Sequence, residues 1–533
     1  MEPKFEMQEK EIVSRFNPEA SLKEIPEDVL SLAKQVKDSV EGSQAQFDKW
    51  RRKIPMHDAE IIALGTGSAL PSKYRNVSAT LVRVPGYGSY LLDAGENTLG
   101  QLQRVFKPAE LAEVLKELRV IWLSHMHADH ILGIVSVIRA WYEVVHKRLP
   151  TDETAFAALA SIKENPNLAS ESKRLAIISD INMVNWLAEY SAVEDFGYSH
   201  LWPLAISVNS QVRNITATLR LQAPPAFFPT EAIRAVEIPT ELYPQLFGLQ
   251  DVQAVFVNHC HGARAVSLTW PNETRVDQND PECKPFKVSY SGDCRPCHPF
   301  TRIGRHSTVL IHEATFEDEL QGNAVAKKHS TTSEAIAIGA RMRAKMTLLT
   351  HFSQRYQKIP VIEREEAGEE EENESADRMD VDSEDETAAA AKEEEDAAVQ
   401  AEDEPLENPD GAPAALRSEA SGELATRIKA RSDMRVGVAS DYMRVKVGEF
   451  AELEKYVPAL QALLAEEQKL EGEEEEGEAV VEGKKGGKQG KEGQKGKVKQ
   501  KGEAKGNQPK QGKKQKQQGK QAAEVKGEES EQK

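Results

Sequence analysis

The sequence predicts an α/β fold built around a metal site, and three observations carry that expectation. Short apolar runs that read as strands alternate with stretches of helical period. The run Ser124-His125-Met126-His127-Ala128-Asp129-His130 directly follows the apolar residues 118–123. Further metal-ligating side chains stand where later strand-like runs end: His259 after residues 255–257, Asp293 after residues 286–292 and His351 after residues 346–350.

Taken in chain order, strands are expected over residues 60–64, 77–84, 90–93 and 119–123, each apolar and bounded by turn-forming residues. A helix is expected over residues 131–145. Residues two apart in extended chain point the same way, so His125 and His127 can hold one ion. Asp129 and His130, where the chain turns into that helix, can face a second. A later helix is read over residues 333–343, a last strand over residues 434–439 and helical spacing over residues 456–464. A ligand set of imidazole and carboxylate without cysteine suits zinc or a similar divalent ion, manganese included, and an aspartate between two ions can bridge them.

Beyond the metal set, the run Leu64-Gly65-Thr66-Gly67-Ser68-Ala69-Leu70-Pro71-Ser72-Lys73-Tyr74-Arg75-Asn76 carries a P-x-K-x-R-N loop, and Leu91-Leu92-Asp93-Ala94-Gly95-Glu96 follows it. His312-Glu313-Ala314-Thr315, His329-Ser330-Thr331 and Ala439-Ser440-Asp441-Tyr442 stand further on. With these motifs the chain resembles the tRNase Z (ribonuclease Z) family of the metallo-β-lactamase superfamily, specifically the catalytic C-terminal half of its long eukaryotic form. The similarity covers roughly residues 58–360 and 433–466. It departs in Asn97-Thr98-Leu99 and in Cys260-His261-Gly262-Ala263-Arg264-Ala265, where an aromatic-glycine pair is expected.

The resemblance implies an αββα sandwich, two sheets face to face with helices outside and the ligands at one edge. It implies two zinc ions, with His125, His127 and His259 on one, Asp129, His130 and His351 on the other, and Asp293 bridging. Asp93 would orient a ligand histidine from behind. Two ions sharing a water would lower its pKa toward about 7, so that hydroxide attacks phosphorus in line. Asp129 would accept a proton, and His329, oriented by Glu313, would donate one to the leaving oxygen. Lys73, Arg75, Asn76 and Asp441 are the implied RNA contacts. The implied substrate is precursor tRNA, cut just after the discriminator nucleotide. Residues 146–258 show no glycine- and proline-rich arm of the kind that grips the tRNA elbow, so a separate N-terminal half or a second subunit is expected to supply it. Two rivals stand beside this reading: another hydrolase on the same fold (a cyclic-nucleotide phosphodiesterase, a thioesterase of the glyoxalase II kind or a β-CASP nuclease), and a non-catalytic RNA-binding remnant.

Composition divides the rest. The chain has 533 residues and a net charge of −19. Residues 361–430 hold 25 acidic against 6 basic residues and read as a disordered insertion within the domain. The lysine-, glycine- and glutamine-rich end, net +10 over residues 483–533, reads as a solvated tail. The remainder is near −10, so RNA affinity must come from local patches or from that tail. The expected layout is residues 1–57 as a linker or partial N-terminal segment with a capped helix over 26–33, then the catalytic domain over 58–360. The insertion spans 361–430, the end of the domain 431–470 and the tail 471–533. Four cysteines argue against a disulfide framework, and Cys294-x-x-Cys297 reads as structural. No 18-residue apolar run or signal peptide is read in the sequence, so no membrane is expected, and nucleus or cytoplasm is the expected location, with the mitochondrion left open.

Overall fold

A computed structural model of the protein describes residues 23, 25–211, 214–222, 235–271, 284–353, 434–460 and 462. The expected acidic insertion and lysine-rich tail lie outside the described residues. Fifteen strands are described. The first sheet runs β15-β1-β2-β3-β4-β5-β6-β7-β8, formed by Arg444–Lys446, Glu60–Gly65, Ala79–Val84, Gly88–Leu92, Leu118–Trp122, Leu175–Ser179, Leu201–Gln211, Asn214–Gln222 and Ala235–Glu237. The second runs β14-β13-β12-β11-β10-β9, formed by Arg435–Val438, Met346–Thr350, Val309–Glu313, Lys287–Tyr290, Arg264–Thr269 and Asp251–Phe256.

Alternation along each strand sets the layers. In β4, Val120 and Trp122 join the core between the sheets, whereas Ile121 and Leu123 pack outward against the helix Ile134–His146 through Val137, Ile138 and Trp141. In β12 and β13 of the second sheet, Val309, Ile311, Met346 and Leu348 face the inner core, while Leu310 and Leu349 meet Ile336 and Met342 of the helix Thr332–Met342. Both faces of these strands are covered, so they read as near-continuous apolar runs. Each fully buried aliphatic side chain contributes about 1.5–3 kcal/mol. The result is the αββα sandwich.

Two expectations are corrected. The helix expected over residues 131–145 is two helices, Ala128–Ile131 and Ile134–His146. The break has a tertiary cause: the His130 carbonyl accepts the Ala94 N–H at 2.8 Å, and the Gly133 N–H goes to the Ala94 carbonyl at 2.9 Å. A Cβ at Gly133 would lie 2.1 Å from the Gly95 carbonyl oxygen, so only glycine allows this approach. Within residues 1–57, expected to be a linker or partial N-terminal segment with a capped helix over 26–33, the helix is longer, Glu27–Gly42, and is preceded by Pro26 without a side-chain cap; Gln44–Arg51 forms a second helix. Val40 and Phe47 are buried together with Ala451, and Arg51 Nη2 donates to Glu452 Oε1 at 2.7 Å. The N-terminal helices therefore pack on the helical turns of residues 450–460.

That packing makes a prediction. Phe47→Ala should lower unfolding free energy by about 3 kcal/mol, read from a denaturant midpoint; an unchanged midpoint would mean that these helices contribute nothing to the fold.

Candidate metal centre

All the ligand candidates leave strands at the same edge. Asp93 follows β3, the His125–His130 run follows β4, His259 follows β9, Asp293 follows β11 and His351 follows β13. The parallel pairings β3·β4, β11·β12 and β12·β13 bring those strand ends together. Gly95 closes the arrangement, because a Cβ there would meet the Asp129 carbonyl oxygen at 2.2 Å.

The structure gathers these side chains into two adjoining groups. His125, His127 and His259 form one, with Cys260 beside them; Asp129, His130, Asp293 and His351 form the other. Asp293 Oδ2 stands 3.7 Å from His125 Nε2, 3.6 Å from His259 Nε2 and 3.2 Å from His130 Nε2, while its Oδ1 is 3.2 Å from His351 Nε2. Asp293 therefore faces both groups. Asp129 Oδ2 lies 3.6 Å from His130 Nε2 and 3.5 Å from His351 Nε2, and accepts the Ala69 N–H at 2.7 Å.

The ring tautomers follow from hydrogen-bond counting. The His130 Nδ1–H donates to Asp93 Oδ2 at 2.6 Å. Thr315 has one hydroxyl proton and gives it to Glu313 Oε2 at 2.5 Å, so it accepts from His351 Nδ1 at 2.9 Å. Ser124 Oγ donates to Asp93 at 2.8 Å and so accepts from His125 Nδ1 at 2.9 Å. His259 Nδ1 donates to the Lys328 carbonyl at 3.1 Å. In all four rings the Nε2 lone pair is thereby turned into the site.

This geometry tests whether a metal fits. His125 Nε2 and His259 Nε2 stand 2.9 and 3.1 Å from His127 Nδ1, so three nitrogens share at most one proton. His130 Nε2, His351 Nε2 and Asp293 Oδ1 are buried without a hydrogen-bond partner. A tetrahedral ion at about 2.0–2.1 Å from each nitrogen needs nitrogens about 3.3 Å apart, close to the spacing found. The residues fit a metal site.

Electrostatics separate the rings. Burial, then the charge of His130, hold His125 well below its usual range, and burial does the same more weakly at His127 and His259; neutral rings are what metal ligation needs. At His130 burial is outweighed by Asp293 and Asp93, which raise its pKa well above the ordinary value, so this ring must give up a proton to ligate. Burial opposes a charged Asp293, yet the surrounding His130, His351 and His125 outweigh it and keep the carboxyl well below its ordinary value. At His329 burial also opposes charge, but Glu313, by its charge and a hydrogen bond at 3.0 Å, lifts the pKa to about 9. His329 lies beside this site, its ring 4.7 Å from that of His259 between centroids. Glu313 is fully enclosed, accepting also from the Cys294 and Ser330 N–H groups at 2.6 and 3.0 Å.

Three of the four expected RNA contacts are hydrogen-bonded within the protein. Arg75 is turned inward: Nη1 donates to Thr66 Oγ1 at 2.6 Å and to the Ala439 carbonyl at 2.9 Å, and the guanidinium stacks on Phe352. Asn76 Nδ2 donates to the Glu96 carbonyl at 2.8 Å. Asp441 accepts from Thr66 N–H and Oγ1, from Asn76 N–H at 2.6 Å and from Gln101 Nε2. These three residues brace the loop that carries Ala69 to Asp129. Lys73 alone of the four is exposed, over the Tyr74 ring.

Sequence reasoning did not find Tyr290, whose hydroxyl donates to Asp93 Oδ2 at 2.7 Å, or Thr315. Tyr290 ends β11 as an ordinary core aromatic, with no local pattern to mark it. Thr315 closes the His312-Glu313-Ala314-Thr315 motif, and its hydroxyl two residues after a carboxylate was the available signal.

Fold and site together define a metallo-β-lactamase-type protein, and a family model for the "Beta-lactamase superfamily domain" matches residues 89–182. Within that fold the chain is similar to proteins named ribonuclease Z. It is 35% identical to Ribonuclease Z of Saccharomyces cerevisiae over 338 residues, 61% of this chain and 39% of that protein. To the Homo sapiens protein named "Zinc phosphodiesterase ELAC protein 2" it is 35% identical over 303 residues, 57% of this chain and 31% of that one. The crystal structure of a long form RNase Z from yeast superposes with a TM-score of 0.51 at 28% identity, covering 76% of this chain and 44% of that chain. The chain thus spans under two fifths of the length of these two curated relatives. No described helix is long and apolar enough to cross a membrane.

Asp93 gathers four donors behind the ligands, so Asp93→Asn should weaken metal binding by about 10- to 100-fold. Competition with a chromophoric chelator measures this, and a variant that binds as tightly as the parent refutes the orienting role.

Proposed function

We propose that the protein is a metal-dependent endoribonuclease that removes 3′ trailers from precursor tRNA, with two zinc ions held by His125, His127 and His259 and by Asp129, His130 and His351, and with Asp293 between them. The observation that carries this reading is the His329–Glu313 hydrogen bond at 3.0 Å beside the two groups of metal-ligating side chains, which sets a candidate proton donor next to a candidate metal cradle. The relatives whose printed name is Ribonuclease Z support RNA as the substrate.

When bound, the ions supply charge neutralisation at phosphate and an activated water. The chain's own groups do the rest. Asp129, held by the Ala69 N–H, accepts the proton released by the attacking water. The His329 ring gives its proton to the leaving 3′-oxygen of the discriminator nucleotide, and Glu313, hydrogen-bonded to Nδ1, orients that ring and stabilises its protonated form before the transfer; such help is worth about 10²- to 10⁴-fold. The trailer then leaves with a 5′-phosphate. Lys73 is the candidate phosphate contact near the site. A separate N-terminal half or second subunit would supply the arm for the tRNA elbow. Nucleus or cytoplasm is the inferred location, resting on composition.

Incubation with a 3′-extended precursor tRNA and with a cyclic-nucleotide diester, each with and without chelator, tests the reading. Chelator-sensitive cleavage of the tRNA alone is expected; hydrolysis of the cyclic diester alone would assign a phosphodiesterase. Asp293→Ala should abolish cleavage and reduce bound zinc from about two equivalents. His329→Ala should retain its metal while single-turnover cleavage slows by about two to four orders of magnitude. Zinc loss in His329→Ala equal to that in His125→Ala would place His329 among the ligands and end its role as proton donor.

A further inference from the structure

His329 stands three residues before the helix Thr332–Met342, and general acid catalysis requires its ring to be placed to a fraction of an ångström. Backbone bonds hold the segment locally, the His329 N–H to the Ala324 carbonyl at 2.8 Å and the Ser330 N–H to Glu313 Oε2 at 3.0 Å, and a side chain from another strand end adds to them. Arg295, two residues after Asp293, donates through Nη1 to the His329 carbonyl at 2.7 Å. The same guanidinium forms a fork with Glu334, Nη1 to Oε2 at 2.6 Å and Nη2 to Oε1 at 2.5 Å, with the side chains only 17% and 18% exposed. Glu334 in turn starts the helix. Its Oε2 accepts the Thr331 N–H at 2.9 Å while its own N–H goes to Thr331 Oγ1, a capping box. Ser330 Oγ donates to the Cys294 carbonyl at 2.6 Å and adds a second tie between the two loops.

We propose that Arg295 and Glu334 are a positioning pair: their two-pronged ion pair locks the His329 turn to the loop that carries Asp293, and so sets the distance between the proton donor and the metal cradle. This rests on the endonuclease reading above. The pair touches neither substrate nor metal. Its geometry matters because a planar guanidinium grips the carboxylate with two parallel bonds and the carbonyl with a third, a fork that the single nitrogen of a lysine does not present. The bond to the His329 carbonyl and the fork on Glu334, which caps the following helix, are what point to placement.

The test exploits leaving-group chemistry. Cleavage of precursor tRNA expels a ribose oxygen that needs a proton, whereas bis(p-nitrophenyl) phosphate expels a phenolate that does not. Arg295→Met and Glu334→Gln should keep full metal content and an unchanged KM for precursor tRNA. Their single-turnover rate on it should fall by about 10- to 100-fold, and Arg295→Lys should recover part of the loss. On the activated diester all three should stay within about twofold of the parent. In the His329→Ala background, Arg295→Met should add no further loss, because both act through one proton. Equal losses on both substrates, additive losses with His329→Ala, or loss of metal in both Arg295→Met and Glu334→Gln would overturn the proposal. His329→Ala alone reports on the underlying reading: if it cleaves precursor tRNA at the parent rate, the donor role itself fails. A slowed His329→Ala with an unselective Arg295→Met rejects only the positioning pair.

Discussion

The ligand edge depends on where the second nitrogen of each imidazole sends its proton. Asp93, Thr315, Ser124 and the Lys328 carbonyl each take an Nδ1–H, and every one of those hydrogen bonds turns a lone pair inward. Inward-facing lone pairs brought this close repel one another, and the carboxylates of Asp129 and Asp293 are held among them. Such a set is expensive to assemble alone, so part of the free energy of ion binding is the free energy of ordering these loops. The outer hydrogen bonds are therefore as much a part of the site as the ligands, and removing one lets a ring rotate without altering its chemistry.

The sequence showed the strands and the ligand set clearly, for physical reasons. Doubly covered strands must be apolar throughout, and ligands that follow strand ends must share an edge once the strands lie parallel. What the sequence left less legible involves interactions between distant segments. The break at Leu132-Gly133 is decided by hydrogen bonds to Ala94, about forty residues earlier, and a single glycine is the only local mark of it. Of the N-terminal helices the sequence marked only residues 26–33, because only Val29, Val40 and Phe47 of that stretch are buried, too few for a strong apolar period. The mutual hydrogen bonds of Arg75, Asn76 and Asp441 join the loop of residues 66–76 to one beyond residue 434, a pairing that local sequence does not mark. Arg295 and Glu334 are 39 positions apart and leave no pattern that a scan of spacing detects.

The last described segment joins both sheets. β14 adds to the outer side of β13 in the second sheet, and β15, only a few residues later, pairs antiparallel with β1 in the first. Asp441 lies in the turn between them. A short stretch of chain thus closes the sandwich on one side while its single carboxylate organises the loop of residues 66–76.

That loop contains the Ala69 N–H, which holds Asp129, so one candidate ligand is braced through a residue that follows His351 by 90 positions. On a ribosome adding about 5–20 residues per second, all seven candidate ligands are made several seconds before Asp441 exists. The order of synthesis thus puts the candidate ligands first and the carboxylate that braces their loop after them, so the brace is a late addition to residues already made.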